Sequence, residues 1–385
     1  MPGAIYADHA STCPVSRKVA EVVAAVMAEN WGNPSGLHGK SRRARELVEK
    51  SRARVAAALG TYPDEIFFTS GGTEADNWAI KGAAGAMALS GRRRIVTDSS
   101  EHPAVLASCA ALEHSDFSVS YIGVDRHCVV NTEGLFDSIT EDTGLVSVMY
   151  VNNETGSINP IREIAAAAHR SGSLMFTDAV QALGSLPLSV SELGVDLLSV
   201  SGHKIFAPKG IGALYVRRGT PIIQLIDGGG QEHGMRSGTE NTAFIAGFAQ
   251  AVEDAVSGIG RTSGLMELRR RLETGLLEIP GTTLNGHPED RAPGIVNISF
   301  RGVSGESLVS WLDMNGIYAS AGAACSSGNG APSHVLLACG LSPELASSAV
   351  RFSISFENTA EEIERIIETT ARIVVNIRKL NSINL

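Results

Sequence analysis

Three polar runs, each directly after an apolar or β-branched run, carry side chains able to act together on one ligand. Thr69-Ser70-Gly71-Gly72-Thr73-Glu74-Ala75-Asp76-Asn77 joins glycines, which let the backbone approach an anion, to Thr73 and the unpaired amides of a helix start, a combination suited to a phosphate. Thr177-Asp178-Ala179-Val180-Gln181 offers a carboxylate to a protonated ring nitrogen, with Gln181 in reach of an oxygen on the same ring. Pyridoxal phosphate (PLP) needs that arrangement to act as an electron sink. Ser201-Gly202-His203-Lys204 adds an amine able to form a Schiff base, beside two donors for a phosphate. Each run alone has a plainer reading: Thr73 and Asp178 as helix caps, Lys204 as a surface lysine. Their repetition at strand ends favours one crevice, where such ends converge in a doubly wound sheet.

The elements that must position these runs follow from the apolar rhythm. Residues 16–59 read as helical, broken by the loop Asn30-Trp31-Gly32-Asn33-Pro34-Ser35-Gly36. Strand-like runs at 65–69, 94–97, 145–150, 174–177 and 196–200 then alternate with Ala-rich helical stretches, which predicts an α/β fold with a mostly parallel sheet between helices. After about residue 258 the pattern becomes a helix at 265–277, a strand at 295–300, a helix at 306–315, a strand at 350–354 and a helix at 360–379, the mark of a smaller α+β domain. The expected division is a large domain over 16–258 and a small one made of 1–15 plus 259–385.

With 385 residues, 43% hydrophobic and 19% charged, the chain has the composition of a globular protein with two cores. A formal charge of -9 argues against direct nucleic-acid binding, and no apolar run approaches the roughly 20 residues that span a bilayer. Met1 to Asp8 lacks the pattern of a signal peptide, so a cytoplasmic location is expected. Five widely spaced cysteines, without a Cys-x-x-Cys pair, predict free thiols and no metal site.

Cys325 differs from Cys13, Cys109, Cys128 and Cys339, which read as structural. It sits among small residues in Ala319-Ser320-Ala321-Gly322-Ala323-Ala324-Cys325-Ser326-Ser327-Gly328, a run poor in packing material.

Together these motifs resemble the cysteine desulfurases of the NifS and IscS type, within the class V aminotransferases of PLP fold type I. The resemblance spans nearly the whole chain. It also takes in Tyr6-Ala7-Asp8, Glu101-His102, Asn152-Asn153-Glu154-Thr155-Gly156, Gly228-Gly229-Gly230-Gln231-Glu232, Arg236-Ser237-Gly238-Thr239-Glu240-Asn241 and Arg351-Phe352-Ser353. It implies a seven-stranded sheet in the large domain and PLP held on Lys204, with Asp178 on the pyridine nitrogen and Gln181 on the phenolic oxygen. His102, otherwise readable as a helix-start residue, would stack on the ring and help move protons. Asn153 would lie beside cofactor and substrate, and Gly72, Thr73, Ser201 and His203 would bind the phosphate. Thr239 would reach the cofactor phosphate of the other subunit of a homodimer. Arg351, assisted by Asn33, would grip the carboxylate of L-cysteine. Cys325 would take the sulfur as a persulfide and pass it to an acceptor such as an iron-sulfur scaffold or a sulfur carrier, leaving alanine.

The sequence departs from the usual family pattern at His9, at His233 and at Ser355-Phe356, which places the rim of the site, and with it substrate range, in question. The same fold also serves C–S or C–Se lyases, epimerases and aminotransferases that need no nucleophilic cysteine. A further alternative is a catalytically silent scaffold for sulfur-transfer partners.

Overall fold

The computed structural model describes residues 3–321 and 331–382. Its seven-stranded sheet runs in the order Ile66–Thr69, Gly212–Val216, Leu197–Ser201, Leu174–Asp178, Thr143–Ser147, Arg94–Asp98, Ser118–Ile122. Only Gly212–Val216 runs antiparallel to its neighbours; the other paired strands are parallel. The expected α/β class with a seven-stranded, mostly parallel sheet is the observed one.

Helices cover both faces because side chains alternate along each strand. Ile66, Phe68, Val146, Leu198 and Ala213 join one apolar cluster with Val19, Val48 and Phe248 from the helices Arg17–Glu29, Gly39–Leu59 and Thr242–Ser257. Their neighbours Phe67, Leu145, Leu197 and Leu214 enter a second cluster with Trp78 and Cys109 from Gly72–Ala88 and Pro103–Glu113.

A third cluster lies beside a four-stranded antiparallel sheet ordered Ser320–Ala321, Ala349–Ser353, Ile295–Phe300, Thr282–Asn285. It draws Leu272, Leu308 and Ile373 from the helices Thr262–Leu277, Gly305–Met314 and Ala360–Leu380. The N-terminal residues tie this part to the large sheet. Ile5–Tyr6 pairs in parallel with Ile317–Tyr318, the His9 amide bonds to the Ser353 carbonyl at 3.0 Å, and the Cys13 amide bonds to the His203 carbonyl at 2.8 Å.

Two expectations need correction. The strand placed at 145–150 has its regular part at Thr143–Ser147; the Val148 and Tyr150 amides still bond to the Phe176 and Asp178 carbonyls at 3.2 and 2.9 Å, and the backbone then turns at Asn152–Gly156, where Gly156 has φ 79°. Ser118–Ile122, Gly212–Val216 and Thr282–Asn285 were not anticipated. Ser118–Ile122 and Thr282–Asn285 are edge strands whose polar, part-exposed residues break the apolar signal.

Candidate active site

At the ends of the central strands a cavity of about 630 Å³ opens, and ten of the anticipated residues line it: Gly72, Thr73, His102, Asn153, Asp178, Gln181, Ser201, His203, Lys204 and Arg351. Two others are not brought there. Asn33 is exposed, its side chain accepting the Ser35 amide at 2.9 Å, and Thr239 is exposed on the segment after Ser237. Cys325 lies outside the described residues.

Close backbone contact shapes the anion-binding end. Gly71 caps the helix Gly72–Ala88 with φ 152°, and a Cβ on the facing Gly212 would fall 2.6 Å from the Val200 carbonyl oxygen and 2.8 Å from the Gly71 Cα. Glycine at both positions lets the antiparallel strand pass directly behind the loop. The first amides of the 17-residue helix thus face the cavity beside Thr73 and Ser201. His203 also lines it, its Nδ1 lying 3.2 Å from Thr12 Oγ1. Burial first, then Lys204 and Lys209, lower the His203 pKa to about 4.

Asp178 closes the strand Leu174–Asp178, and its Oδ1 accepts the Val180 amide at 2.8 Å. Burial raises its pKa, opposed by His102, by that amide and by Lys204. Asp76 is also raised by burial, and further by Asp178, with only the Ser199 hydroxyl, at 2.5 Å, to relieve it. Asp178, facing a histidine and a lysine, is therefore the carboxyl of the pair that ionises first. His102 starts the helix Pro103–Glu113, its Nδ1 accepting the Ala104 amide at 3.1 Å, and burial lowers its pKa. The cap role and the place in the cavity coexist in one residue.

Lys204 follows the strand Leu197–Ser201 within a short 3-10 turn. Its Nζ donates to the carbonyls of Ala10 at 2.5 Å and Ser11 at 2.7 Å, and Gln181 Nε2 donates to the same Ala10 carbonyl at 2.9 Å. Arg351, 2% exposed, donates from Nη1 to the Asn153 carbonyl at 2.7 Å and from Nη2 to Ser11 Oγ at 2.9 Å and Asp8 Oδ1 at 3.0 Å. The roles of Ala10, Ser11 and Asp8 escaped sequence reasoning, although Tyr6-Ala7-Asp8 marked the segment; two of the three act through backbone carbonyls, which no residue type announces. Asp76 was within the quoted glycine-rich motif but had no role.

The donor set fits PLP: an amine for an aldehyde, a carboxylate for a pyridine nitrogen, and helix-start amides with hydroxyls for a phosphate. The other four cysteines are buried free thiols. Burial raises the pKa of Cys13 and of Cys109 to about 12, as for inert structural thiols.

None of the three departures from the family pattern lines this cavity. His9 and Ser355-Phe356 face an adjoining one, and His233 packs edge-on against Phe67, with ring centres 6.3 Å apart.

The geometry has counterparts among known proteins. The family model "Aminotransferase class-V" matches residues 5–366. "Cysteine desulfurase IscS" of Methanosarcina thermophila is 45% identical over 379 residues, covering 98% of this chain and 94% of its own. A solved structure titled "NIFS-LIKE PROTEIN" superposes with a TM-score of 0.91 at 37% identity, covering 97% of this chain and 99% of the other. Another, "SspA in complex with cysteine", gives 0.80 at 32% identity over 91% and 98% of the two chains. On a match that runs almost from end to end, this chain belongs to the aminotransferase class-V family.

Proposed function

We infer that this chain is a PLP-dependent cysteine desulfurase, converting L-cysteine to L-alanine and passing the sulfur on. The observation that carries the reading is the meeting of Lys204, Asp178 and Arg351 around one cavity large enough for a cofactor and a small amino acid. Relatives named cysteine desulfurase, matched over 98% of the chain, and the cysteine complex of a similar structure support it. They do not favour a lyase, an aminotransferase or a silent scaffold.

Lys204 would hold the cofactor, Asp178 the protonated pyridine nitrogen and Gln181 the phenolic oxygen, with Gly72, Thr73, Ser201 and His203 on the phosphate. PLP, once bound, supplies an electron sink that acidifies the substrate Cα and weakens the C–S bond. Arg351 takes the substrate carboxylate as a fork, already oriented by Asp8, Ser11 and the Asn153 carbonyl. Asn153 contributes beside it, and Asn33 would do so only if its loop moved inward. Displaced Lys204 is a base placed to carry the Cα proton, and His102, largely neutral because it is buried, is a second proton carrier. Cys325, as thiolate, would attack the substrate sulfur; an S–S bond forms, the C–S bond breaks, its electron pair returns to the three-carbon skeleton, and protonation gives alanine. The persulfide left on Cys325 would then pass to an acceptor such as an iron-sulfur scaffold or a sulfur-carrier protein.

The same reading proposes a cytoplasmic homodimer with Thr239 on the partner's cofactor phosphate. It also proposes domains at 16–258 and at 1–15 with 259–385, a division supported by the separate cluster around Leu272, Leu308 and Ile373. Among the described residues no helix is long and apolar enough to cross a membrane.

The test is product analysis of the PLP-loaded protein given cysteine, with Cys325→Ser alongside. Expected are alanine, protein-bound sulfane sulfur, and loss of that sulfur in the variant without loss of the cofactor's absorbance. Pyruvate as product would mean β-elimination, a new amino acid transamination, and sulfur transfer undiminished in Cys325→Ser would overturn the role of that residue.

A further inference from the structure

Two consecutive residues, Ser333 and His334, each grip the chain immediately beside a residue of the cavity. The Ser333 hydroxyl donates to the buried carboxyl of Glu154, the neighbour of Asn153, at 2.5 Å. His334 Nε2 lies 3.0 Å from the carbonyl oxygen of Glu101, the neighbour of His102. Ser333 also caps the short helix His334–Ala338, its hydroxyl accepting the Leu336 amide at 3.2 Å, so the histidine side chain leaves from a fixed start.

A carbonyl oxygen only accepts, so His334 Nε2 carries the hydrogen of this bond. Glu101 is wholly buried and His334 half-buried, and water competes poorly for a carbonyl so placed. One residue earlier, Asn152 Nδ2 donates to the Ser100 carbonyl at 3.1 Å. The two donors together fix the backbone from which His102 projects. On its other side the His102 ring is tied by Nδ1 to the Ala104 amide, so its placing depends on backbone at both ends. His334 is also close enough for its charge to be felt: burial first, then Lys204 and His334, lower the His102 pKa, against Asp178.

We propose that His334 is a positioning residue for the reaction, holding the Glu101 carbonyl so that the His102 ring is set for stacking on the cofactor and for proton transfer. His334 does not itself line the cavity. The proposal rests on the PLP-dependent reading given above.

The experiment compares His334→Phe, which keeps a ring and loses the donor, with His334→Gln, which offers an amide donor in its place. Both are made in the PLP-loaded parent and again in a His102→Gln background, and alanine formation from cysteine is read beside the visible circular dichroism of the bound cofactor. His334→Phe should lower kcat about fivefold, the worth of one neutral hydrogen bond, with KM changed by less than about twofold. It should also change the dichroic band, per bound cofactor, in the same sense as His102→Gln, and His334→Gln should restore most of both. In the His102→Gln background His334→Phe should alter neither any further, because residues that act as one unit are not additive. Where His334→Phe folds poorly, His334→Leu removes the same donor and is read on the same scale. Full kcat with an unaltered band, a loss that His334→Gln does not restore, or an equal loss in the His102→Gln background would each overturn the proposal. Failure of the desulfurase reading looks different: the parent makes no alanine, and the dichroic band alone then decides.

Discussion

Asp8 and Arg351, 343 positions apart in the chain, meet at 3.0 Å. The carboxylate, with Ser11 and the Asn153 carbonyl, fixes a guanidinium that is almost wholly buried. Lysine in its place keeps the charge but cannot reproduce the fork. Arg351→Lys is expected to raise KM for cysteine by roughly 10- to 150-fold, the loss of a charge-assisted hydrogen bond of about 1.5–3 kcal/mol, with a smaller change in kcat. Steady-state kinetics checks this; an unchanged KM would place the substrate carboxylate elsewhere.

Asp178→Asn keeps the shape of the side chain and its bond with the Val180 amide while removing the charge that would face a ring nitrogen. Activity should fall by roughly 10- to 150-fold on the same scale, and the cofactor should dialyse out faster, followed by its absorbance. Equal retention and equal turnover would exclude the pairing.

Glu232 takes both arms of Arg52, at 2.7 and 2.8 Å, and accepts the Phe68 amide at 2.8 Å, with the two side chains 1% and 2% exposed. This pair pins the segment that carries Thr239 against the strand entering the Thr73 loop. Glu232→Ala leaves the buried guanidinium with the Ile66 carbonyl at 2.7 Å and the Glu49 carboxylate at 3.3 Å, takes the partner from the Phe68 amide, and should cost about 1–3 kcal/mol of stability in denaturant titration. A loss below about 1 kcal/mol, of the order of an exposed pair, would show that water reaches Arg52.

His9 gives a pH signature. Its folded pKa, about 4, is below the ordinary 6.5, so the unfolded chain takes up a proton first as pH falls. Stability linked to this group is full above pH 6.5, declines toward pH 4 and is flat below, by about 3 kcal/mol in all. Buried Asp98, with its pKa raised to about 6, acts in the opposite sense over part of that range. The comparison is therefore with His9→Gln: the parent should lose about 3 kcal/mol more than the variant between pH 6.5 and 4. Parallel pH profiles would mean that His9 titrates normally.

Sequence reading reached the site through strand ends. The runs ending at Thr69, Asp178 and Ser201 are buried strands, apolar enough to be visible, and each delivers its polar residues to one cavity. Ser118–Ile122 was invisible because an edge strand need not be apolar, and the Lys204 contacts were invisible because carbonyl oxygens belong to every residue. His9 and Phe356 stood out as departures, but only the fold shows that both pack against Phe206 and line an adjoining cavity instead of the substrate rim. Asn33 and Thr239 were legible as motif members, yet nothing in one chain brings either to the cavity.

The pairing of the N-terminal residues with Ser353 bears on how the protein is made. Ala10 donates its amide to the Ser353 hydroxyl, 343 positions later, at 2.9 Å. A ribosome adding about 5–20 residues per second needs roughly 20 to 70 s to cover that distance. For that interval the segment that will hold Lys204 and Arg351 has no strand to join, so the large sheet can form during translation while the catalytic groups are aligned only near its end.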